Sequence, residues 1–449
     1  MRQKGKGQTL DFNLSKKGTS RRDLLKICEN AVKYSVRTSH PYFRNQLYGG
    51  VDPYALAGTW LSEALNTNQY TFEVAPFFMT TERAILKKIR EIIGWPDGRG
   101  DGIFAPGGST GNMYGIVAAR YNKFPESKVE GMFGLPRLTL FISQDAHYSS
   151  IKAAHWLGFG TKSVIAVPTD ELGRMIPEEL EKCKCGAVPF CVVATSGTTV
   201  LGAFDPLEAI AKICRANDIW LHVDACWGGS ALLSKKHRHL MKGVENADSL
   251  IWNPHKMLGA PLQCSPFVIR HEGLLHKCNS ASATYLFQQD KFYDVSYDTG
   301  DKSFQCGRKV DGFKLWTMWK ARGDNGLEAL VSNTFQCAEY VHELIKNRPG
   351  FKMVIPEVQC TNVCFWYIPE CLRNLEETEE WWTKMEKVAP EIKRRMTVEG
   401  SLLIGYQPLK HKNLRNFFRL VLTCQPPLTT ENMDFVVSEI DRLGRDMIL

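Results

Sequence analysis

The sequence predicts an α/β protein, in which a large lobe built on a mostly parallel sheet is followed by a smaller C-terminal α+β lobe. From about residue 100, short apolar runs alternate with amphipathic stretches, as is typical of parallel strands connected by helices that cover both faces. Residues 331–449 mix helical and strand patterns. A chain of 449 residues is also too long for a single core, so more than one lobe is expected.

The pattern divides the chain into four segments, at residues 1–18, 19–95, 96–330 and 331–449. The first segment is a polar, basic tail that we expect to be disordered. The second is helical and begins with a helix that Ser20 is placed to cap. A further helix is expected over residues 81–93, with Thr80 or Thr81 as its cap. Gly94 ends that helix.

The third and fourth segments supply the strands of the two lobes. The expected strands are Leu138–Ile142, Phe190–Thr195, Ile219–Ala225, Ser249–Trp252, Asn362–Tyr367 and Phe417–Thr423. The expected helices are Met113–Tyr121, Pro206–Asn217, Asn333–Lys346 and Thr430–Arg445. Pro266 lies in a further apolar run, Ser265–Ile269, where we expect it to disrupt a central strand because proline donates no ladder hydrogen bond.

The charge distribution argues against several classes of partner. The net charge is +8, but residues 1–25 hold seven Lys/Arg and two Asp, a net +5, which leaves 8 − 5 = +3 for the other 424 residues. A body so close to neutral argues against nucleic-acid binding. No apolar run is long enough to span a membrane, and the N-terminus lacks the apolar region of a secretory signal. We therefore expect a cytoplasmic protein that binds neither nucleic acid nor membranes.

The cysteines and histidines do not form the pattern of a metal site. The fourteen cysteines are scattered, which indicates reduced thiols and agrees with a cytoplasmic location. Cys183 and Cys185 have the wrong spacing for a zinc knuckle, and His237 and His239 have no nearby carboxylates. We predict that no metal is bound.

Two of the apolar runs each end in a polar group that is capable of chemistry. Asp224 lies at the end of one run and Lys256 follows the other, and the two are 256 − 224 = 32 positions apart. Singly, Lys256 would be a surface lysine beside a proline turn and Asp224 a helix cap. Together at the edge of one sheet they suit pyridoxal phosphate, because the amine forms an imine with the cofactor aldehyde and the carboxylate keeps the pyridine nitrogen protonated.

Three further groups near strand ends could join this pair. The loop Pro106–Asn112 puts Gly108 and Ser109 before a helix, where backbone amides can approach a phosphate. Alone, such a loop is more often a turn, and neither nucleotide-binding glycine pattern is present. His147 could stack on the cofactor ring, and the hydroxyls of Thr195–Thr199 could reach its phosphate or ring oxygen. Considered separately, His147 would be a structural histidine and Thr195–Thr199 would be a polar turn.

Two motifs carry a resemblance to a known family. Asn253-Pro-His-Lys256 and His222-Val-Asp-Ala-Cys-Trp-Gly-Gly229 resemble the group II pyridoxal-phosphate-dependent amino-acid decarboxylases, and the resemblance extends over nearly the whole chain from about residue 20. The chain is most similar to the acidic-substrate branch, which comprises the cysteine sulfinate, aspartate 1- and glutamate decarboxylases, and within it to the cysteine sulfinate type. The segments that fit this branch are Asn66–Tyr70, Asn362–Tyr367, Gly405–Pro408 and Asn416–Arg419.

The resemblance implies an aspartate-aminotransferase-like fold and a homodimer with active sites at the subunit interface. It implies pyridoxal 5'-phosphate as the cofactor, with Lys256 as the imine lysine, Asp224 as the partner of the ring nitrogen and His147 as the stacking residue. Ser109 and the backbone amides around Gly108 would hold the phosphate.

The resemblance also assigns residues to the substrate. Arg419 would clamp the α-carboxylate, a role that suits the bidentate guanidinium group, and Gln46 would contact the acidic side chain. The stretch Tyr285–Thr299 resembles a mobile loop that closes over the site of the neighbouring subunit. Tyr293 in this loop would protonate Cα after carbon dioxide leaves.

The choice of acid depends on Tyr48. Glutamate decarboxylases tend to carry a small residue there, and a phenol would occupy the volume that the extra methylene of glutamate needs. We therefore expect cysteine sulfinate, giving hypotaurine, or aspartate, giving β-alanine; the sequence does not separate the two, and Thr284 could tune the choice. A glutamate decarboxylase that makes γ-aminobutyrate is the runner-up. An aminotransferase and a non-enzymatic binding protein are further alternatives.

Three departures from the family pattern bear on stability. The stretch Glu181–Gly186 is several residues shorter than its counterpart, so we expect a clipped helix there. Cys226 replaces a residue that is usually smaller, and Pro266 is the proline already noted. None of the three coincides with a predicted catalytic group.

Overall fold

The computed structural model describes residues 10–183 and 186–449, in two compact units divided between Thr38 and Ser39. The first unit contains helix α1 (Arg21–Tyr34). Its predicted cap is confirmed, because the Ser20 hydroxyl accepts a hydrogen bond from the Asp23 backbone N–H at 3.1 Å. Of the tail expected to be disordered, residues 1–9 lie outside the described residues, and residues 10–18 form neither helix nor strand.

The second unit contains two sheets and twelve helices among its described residues. In chain order its strands are β1 (Phe43–Arg44), β2 (Asp101–Phe104), β3 (Leu138–Ser143), β4 (Val164–Val167), β5 (Val188–Thr195), β6 (Trp220–Ala225), β7 (Ser249–Trp252), β8 (Pro266–Ile269), β9 (Phe351–Met353), β10 (Asn362–Tyr367), β11 (Leu403–Leu409) and β12 (Leu414–Val421). Its helices are α2 (Pro53–Leu65), α3 (Pro76–Ile93), α4 (Gly108–Lys123), α5 (Ser127–Glu130), α6 (Ser149–Trp156), α7 (Pro177–Lys182), α8 (Leu207–Ala216), α9 (Leu274–Asn279), α10 (Asp311–Lys346), α11 (Glu379–Met385), α12 (Val388–Glu399) and α13 (Thr430–Gly444). Across the described residues, none of the helices combines the length and apolarity needed to cross a membrane.

The large sheet has seven strands in the order β2-β8-β7-β6-β5-β3-β4. Strands β4, β3, β5, β6 and β7 are parallel to one another, while β8 is antiparallel to both β7 and β2. The predicted mostly parallel sheet is therefore confirmed. Thr195 on β5 is in register with Asp224 on β6, and Ala225 is in register with Trp252 on β7. These strand ends thus meet at one edge, where such sheets bind ligands.

Both faces of the large sheet are covered, because alternate residues of each strand enter different cores. In β5, Val192 and Ala194 pack in the core that includes residues of α3, α8 and α10. Cys191 and Val193 pack in the core that includes residues of α4, α6 and α9. Because both sides of these strands are buried, each one is a continuous apolar run in the sequence.

The small sheet has five strands in the order β1-β11-β12-β10-β9. β1 is parallel to β11, and the other neighbours are antiparallel. Ile392 on α12 and Ile440 on α13 belong to the core of this lobe, so its predicted α+β character is confirmed. Because β1 pairs with β11, Asn45 directly after β1 lies close to Arg419 on β12.

Two helices begin earlier than their patterns indicated. α3 begins at Pro76, since proline suits the first position of a helix, and ends before Gly94 as predicted. Thr80 Oγ1 donates to Pro76 O at 2.9 Å and Thr81 Oγ1 donates to Phe78 O at 3.0 Å, so both hydroxyls are satisfied inside the helix. α4 begins at Gly108, five residues before the expected start (113 − 108 = 5).

The long helix α10 begins at Asp311, 22 residues before the expected Asn333 (333 − 311 = 22), and runs across the boundary expected between residues 330 and 331. Gly323 interrupts its helical geometry with a φ of 63°. α7 has six residues and ends at Lys182, and residues 184–185 of the stretch expected to be clipped lie outside the described residues.

Pro266 does not disrupt its strand, so that expectation was wrong. It is the first residue of β8 and lies in register with Phe104 on β2, whereas pairing with β7 begins one residue later at Phe267. Proline is tolerated at the first position of a strand because the missing N–H is not needed in the following ladder.

Candidate active site

A cavity of about 200 Å³ lies at the carboxyl edge of the large sheet. All of the predicted cofactor-binding residues line it, and they come from the ends of β3, β5, β6 and β7 and from the start of α4. The full lining is Gly108, Ser109, Asn112, His147, Thr195, Gly197, Thr199, Asp224, Cys226, Trp227, Asn253, His255 and Lys256. The structure therefore brings together in one place the groups that the sequence singled out separately.

A larger cleft, of about 1170 Å³, lies between α3 and residues 282–302. Its lining mixes charges of both signs, including Glu82, Arg83 and Asp301, and contains none of the predicted cofactor-binding residues. Thr284 lies in this cleft rather than in the cavity of the site. We place the chemistry in the smaller cavity because that is where the lysine and the aspartate are.

Asp224 is buried at the end of β6 with its carboxylate held by hydrogen bonds. Asn112 Nδ2 donates to Oδ2 at 2.8 Å, and the Cys226 backbone N–H donates to Oδ1 at 3.1 Å. Burial alone would raise the pKa of Asp224, but the Lys256 ammonium and these hydrogen bonds outweigh it, so the pKa lies below its usual value. The cavity therefore contains an ionised carboxylate.

Lys256 follows β7 by way of a turn in which its backbone N–H donates to Asn253 O at 2.9 Å. Its side chain is half-buried, and within the described ranges its Nζ has no hydrogen-bond or ion-pair partner. The preceding His255 is fixed by Cys264, whose carbonyl oxygen lies 2.7 Å from His255 Nδ1. Burial lowers the pKa of His255 to about 4, so this imidazole is neutral at physiological pH.

The loop before α4 presents backbone amides to the cavity. Gly107 has a φ of 104°, in the region that favours glycine, and turns the chain into the helix. A Cβ on Gly108 would lie 2.4 Å from Cys226 Sγ and 2.6 Å from Asn253 Nδ2, so only glycine lets this loop pack on the ends of β6 and β7. The first N–H groups of a helix lack partners inside it and bind anions.

His147 lies on the loop after β3, and Thr195 is the last residue of β5. His147 Nδ1 accepts a hydrogen bond from the Ser149 backbone N–H at 3.3 Å, and burial lowers the pKa of His147 although Asp224 opposes the effect. The Thr195 backbone N–H donates to Asp205 Oδ2 at 2.7 Å, which anchors the loop. Thr198 Oγ1 accepts from the Ala203 backbone N–H at 3.0 Å and therefore has a structural role.

None of the three predicted substrate residues lines the cavity, but Arg419 contacts one of its lining residues. Arg419 Nη1 donates to the carbonyl oxygen of Thr199, a lining residue, at 2.8 Å, and Nη2 donates to Asn45 O at 3.4 Å. Among the residues described, Arg419 has no ion-pair partner, and its Nε is buried without an acceptor. Asn45 precedes Gln46 and Tyr48, which pair in an isolated bridge. Gln46 is exposed and Tyr48 is half-buried.

Comparison with known proteins decides the family to which this site belongs. Residues 5–368 match the pyridoxal-dependent decarboxylase conserved domain, and these residues make up most of the chain. The chain belongs to the pyridoxal-dependent decarboxylase family. It is 54% identical over 446 residues to the mouse acidic amino acid decarboxylase GADL1, covering 98% of this chain and 80% of that protein. It is 52% identical over 446 residues to the human cysteine sulfinic acid decarboxylase, covering 98% of this chain and 89% of that protein.

The crystal structure of mouse CSAD in apo form matches this pyridoxal-dependent decarboxylase with a TM-score of 0.93. The two chains are 49% identical, and the match covers 97% of this chain and 91% of the mouse chain. Family membership and this match confirm the predicted aspartate-aminotransferase-like fold, the carboxy-lyase class and the use of pyridoxal phosphate.

The chemistry of the cavity fits the cofactor of a pyridoxal-dependent decarboxylase. Thr195 Oγ1 and Asn253 Oδ1 are buried and have no hydrogen-bond partner among the described residues, which a polar ligand in the cavity would supply. The amides at the start of α4 suit a phosphate, Lys256 suits an aldehyde, and the ionised Asp224 suits a protonated pyridine nitrogen.

Tyr293 is not brought to the cavity within one chain of this decarboxylase. Its hydroxyl donates to Asp298, with distances of 3.0 Å to Oδ1 and 3.2 Å to Oδ2. Asp298 also accepts from Lys291 Nζ at 2.9 Å and from the Phe72 backbone N–H at 2.7 Å. Three donors thus converge at one buried carboxylate, and the loop is folded back on its own chain.

Sequence reasoning missed Asn112, Asn253 and His255 as members of the site. Asn253 and His255 could have been found, because they are polar residues between a buried strand and the lysine. Asn112 could not, because its contact with Asp224 joins residues 112 positions apart. Only the packing of α4 against the sheet creates that contact.

Proposed function

We propose that this enzyme removes the α-carboxylate of a short acidic L-amino acid, with L-cysteine sulfinate and L-aspartate as its preferred substrates. The products are carbon dioxide and either hypotaurine or β-alanine. The bond between Cα and the carboxylate carbon breaks, its electron pair remains with Cα, and Cα gains a proton, so that no external oxidant or reductant is required. Arg419 carries the proposal, because it is a cation without an acidic partner in the described chain, next to the cavity and to residues 45–48.

Pyridoxal phosphate, when bound, supplies an electron sink for the pair of electrons left at Cα. Asp224 is ionised and therefore suited to keep a proton on the pyridine nitrogen. Lys256 Nζ has no partner among the described residues and supplies the amine that binds the aldehyde. The remaining cofactor ligands are Gly108 and Ser109 for the phosphate, His147 for one face of the ring and Thr195 for the phosphate or ring oxygen.

Arg419 binds the α-carboxylate of the substrate through its planar pair of N–H donors. Its two present acceptors are backbone carbonyls, of Thr199 and Asn45, which are weaker partners for a guanidinium than a carboxylate is. Gln46 offers an amide to the acidic side chain of the substrate. The ring of Tyr48 limits the length of that side chain, which favours the shorter acids over glutamate.

Tyr293 delivers the proton to Cα in a neighbouring subunit rather than in its own. The position of Tyr293 at Asp298, away from the cavity of its own chain, supports this assignment. Two copies of the chain would form a homodimer with both active sites at the interface, and the loop Tyr285–Thr299 would close over the partner's cavity. Closure excludes water while the proton is transferred.

The first experiment measures carbon dioxide release from the purified protein with added pyridoxal phosphate. L-cysteine sulfinate, L-aspartate and L-glutamate are compared at equal concentration, and the Lys256→Ala variant is the control for background release. We expect both shorter acids to be turned over faster than glutamate. Clearly faster release from glutamate would reject the substrate assignment and leave the decarboxylase in place. A protein that binds pyridoxal phosphate but releases carbon dioxide from none of the three would overturn the proposed function.

A further inference from the structure

A row of hydrogen-bonded side chains leads from Asp224 across the large sheet. Asn112 Nδ2 donates to Asp224 at 2.8 Å, and Asn112 Oδ1 lies 2.9 Å from His222 Nε2. His222 Nδ1 lies 2.8 Å from Ser249 Oγ, which in turn accepts from Trp220 Nε1 at 2.9 Å. All five side chains are buried, so water does not compete for these bonds.

The acceptor at one end of the row sets the direction of its bonds. An ionised Asp224 only accepts, so Asn112 faces it with Nδ2 and faces His222 with Oδ1. His222 therefore carries its proton on Nε2 and donates to Asn112 Oδ1. A neutral ring with its proton on Nε2 accepts at Nδ1, so Ser249 donates to His222, and the Ser249 oxygen also accepts from the Trp220 indole N–H.

The packing around His222 supports a single, neutral form of the ring. Its side chain is fully buried, and burial lowers the pKa of His222 to about 4. A Cβ on Gly115 would lie 2.5 Å from His222 Nδ1, so glycine at this position on α4 allows the ring to lie between the helix and the sheet. The second N–H of the Asn112 amide is occupied as well, because it donates to Ser149 Oγ at 2.9 Å.

We propose that His222 is a positioning residue for the cofactor: by donating from Nε2 to Asn112, it fixes the amide that holds Asp224 against the ring nitrogen. Without that donor the Asn112 amide can rotate and turn its oxygen toward Asp224. The amide oxygen then repels the Asp224 carboxylate, whose negative charge the protonated ring nitrogen requires. This inference rests on the proposed role of Asp224. It extends the site by two residues that touch neither the cofactor nor the substrate, His222 and Ser249.

Two substitutions of the same residue separate positioning from packing. In His222→Gln, the side-chain amide nitrogen can take the place of Nε2 and donate to Asn112. In His222→Asn, the shorter side chain reaches Ser249 but not Asn112. Both variants remove the imidazole ring and create a cavity, so a packing defect affects both, whereas a positioning defect affects only His222→Asn.

The readout is the affinity of the apoprotein for two ligands, pyridoxal phosphate and its analogue in which a CH group replaces the ring nitrogen. The ratio of the two dissociation constants isolates the interaction between Asp224 and the ring nitrogen, as in a double-mutant cycle. We expect the wild type to bind the analogue about tenfold or more weakly, as for a hydrogen bond to a charged group. His222→Gln keeps this ratio. His222→Asn loses most of it, because only its affinity for pyridoxal phosphate falls.

A third variant tests the proposal even if the His222→Asn protein does not fold. Ser249→Ala keeps the imidazole ring but removes the donor to Nδ1, so the ring can adopt its other tautomer, and the ratio of dissociation constants should fall about threefold. Equal weakening of both ligands in His222→Asn, or an unchanged ratio in Ser249→Ala, would overturn the proposal. A wild-type ratio near one would also overturn it, because Asp224 would then not serve the ring nitrogen. Carbon dioxide release by the wild type tests the proposed function independently of all three results.

Discussion

At the scale of single residues, the protonation states of the site depend on burial and on neighbouring charges. Burial has the largest influence on the pKa of both Asp224 and His147. The next largest is the charge of Lys256 for Asp224 and the charge of Asp224 for His147. Burial also lowers the pKa of both His222 and His255 to about 4. An ionised carboxylate and neutral imidazoles therefore coexist around one cavity, as acid–base chemistry at neutral pH requires.

The buried histidines predict a loss of stability in acid. The folded-state pKa of His222, about 4, lies below its unfolded value of 6.5, so the unfolded chain binds the proton first as the pH falls through this window. We expect this residue to contribute about 2 kcal/mol to the loss of unfolding free energy between pH 6.5 and 4.5. Urea unfolding at both pH values measures the loss, which His222→Gln should reduce. His239→Gln, at an exposed position, is the control and should reproduce the wild-type loss.

A prediction for substrate choice follows from Tyr48. Its ring lies 5.8 Å from that of Phe43, in the segment that Arg419 contacts through Asn45. Tyr48→Ser removes the ring, so we expect turnover of glutamate relative to aspartate to rise about tenfold or more, the value of one methylene in a closed pocket. Tyr48→Phe keeps the volume and should keep the preference. The kcat/KM values for the two acids decide the question, and an equal change in both variants would refute a steric role for Tyr48.

At the scale of elements, a buried carboxylate is the main polar anchor of the loop Tyr285–Thr299. Asp298 is buried and accepts hydrogen bonds from Tyr293, Lys291 and the Phe72 backbone. Burial and the nearby carboxylate raise the pKa of Tyr293, so its hydroxyl keeps its proton at neutral pH. Arg83 also lies 4.2 Å from the ring centre of Tyr297, and Thr299 Oγ1 donates to Met79 Sδ at 3.4 Å. Movement of the loop therefore requires the release of these contacts together with those of Asp298.

Because Tyr293 is protonated at neutral pH, we expect its substitution to change the product of the reaction. Tyr293→Phe removes the hydroxyl while keeping the ring packed near Phe72, so we expect amine formation to fall at least a hundredfold, the scale of a lost general acid. Misplaced protonation should instead yield an aldehyde together with inactivated cofactor. Chromatography of the products, with the activity followed over time, measures both effects. Tyr285→Phe, at an exposed position of the same loop, should behave as the wild type.

At the scale of the whole molecule, the proposed homodimer supplies each active site from two chains. Within one chain, Lys256 lines the cavity and Tyr293 does not. Two inactive variants can therefore complement each other, provided that Tyr293 serves the partner subunit. Because the two sites of a symmetric homodimer are equivalent, the activity that mixed dimers should recover can be calculated.

Mixed dimers of Lys256→Ala and Tyr293→Phe test this arrangement. In a mixed dimer one site has neither residue and the other has both, so random assembly should restore about one quarter of the wild-type activity. Two tags allow the mixed dimers to be purified and assayed against each parent. If Tyr293 serves its own chain, no site in the mixture is complete, and activity stays at the level of the parents.

The sequence predicted the features that depend on local patterns better than the features that depend on contacts between distant residues. The strands of the large sheet were predictable because both of their faces are buried, so each is an uninterrupted apolar run. Helix starts were less predictable, because hydroxyls that could cap α3 bond inside it instead. Pro266 was misjudged because its effect depends on its position in the ladder.

By itself, the sequence determined the cofactor chemistry and the fold class. The aspartate lies at the end of one buried strand, the lysine lies in the turn after the next strand, and parallel strands end at one edge. Only the tertiary structure decided that Asn112 and His222 support Asp224 and that Arg419 contacts Asn45. These contacts join residues on different elements. No local pattern contains them, because they depend on how helices and sheets pack together.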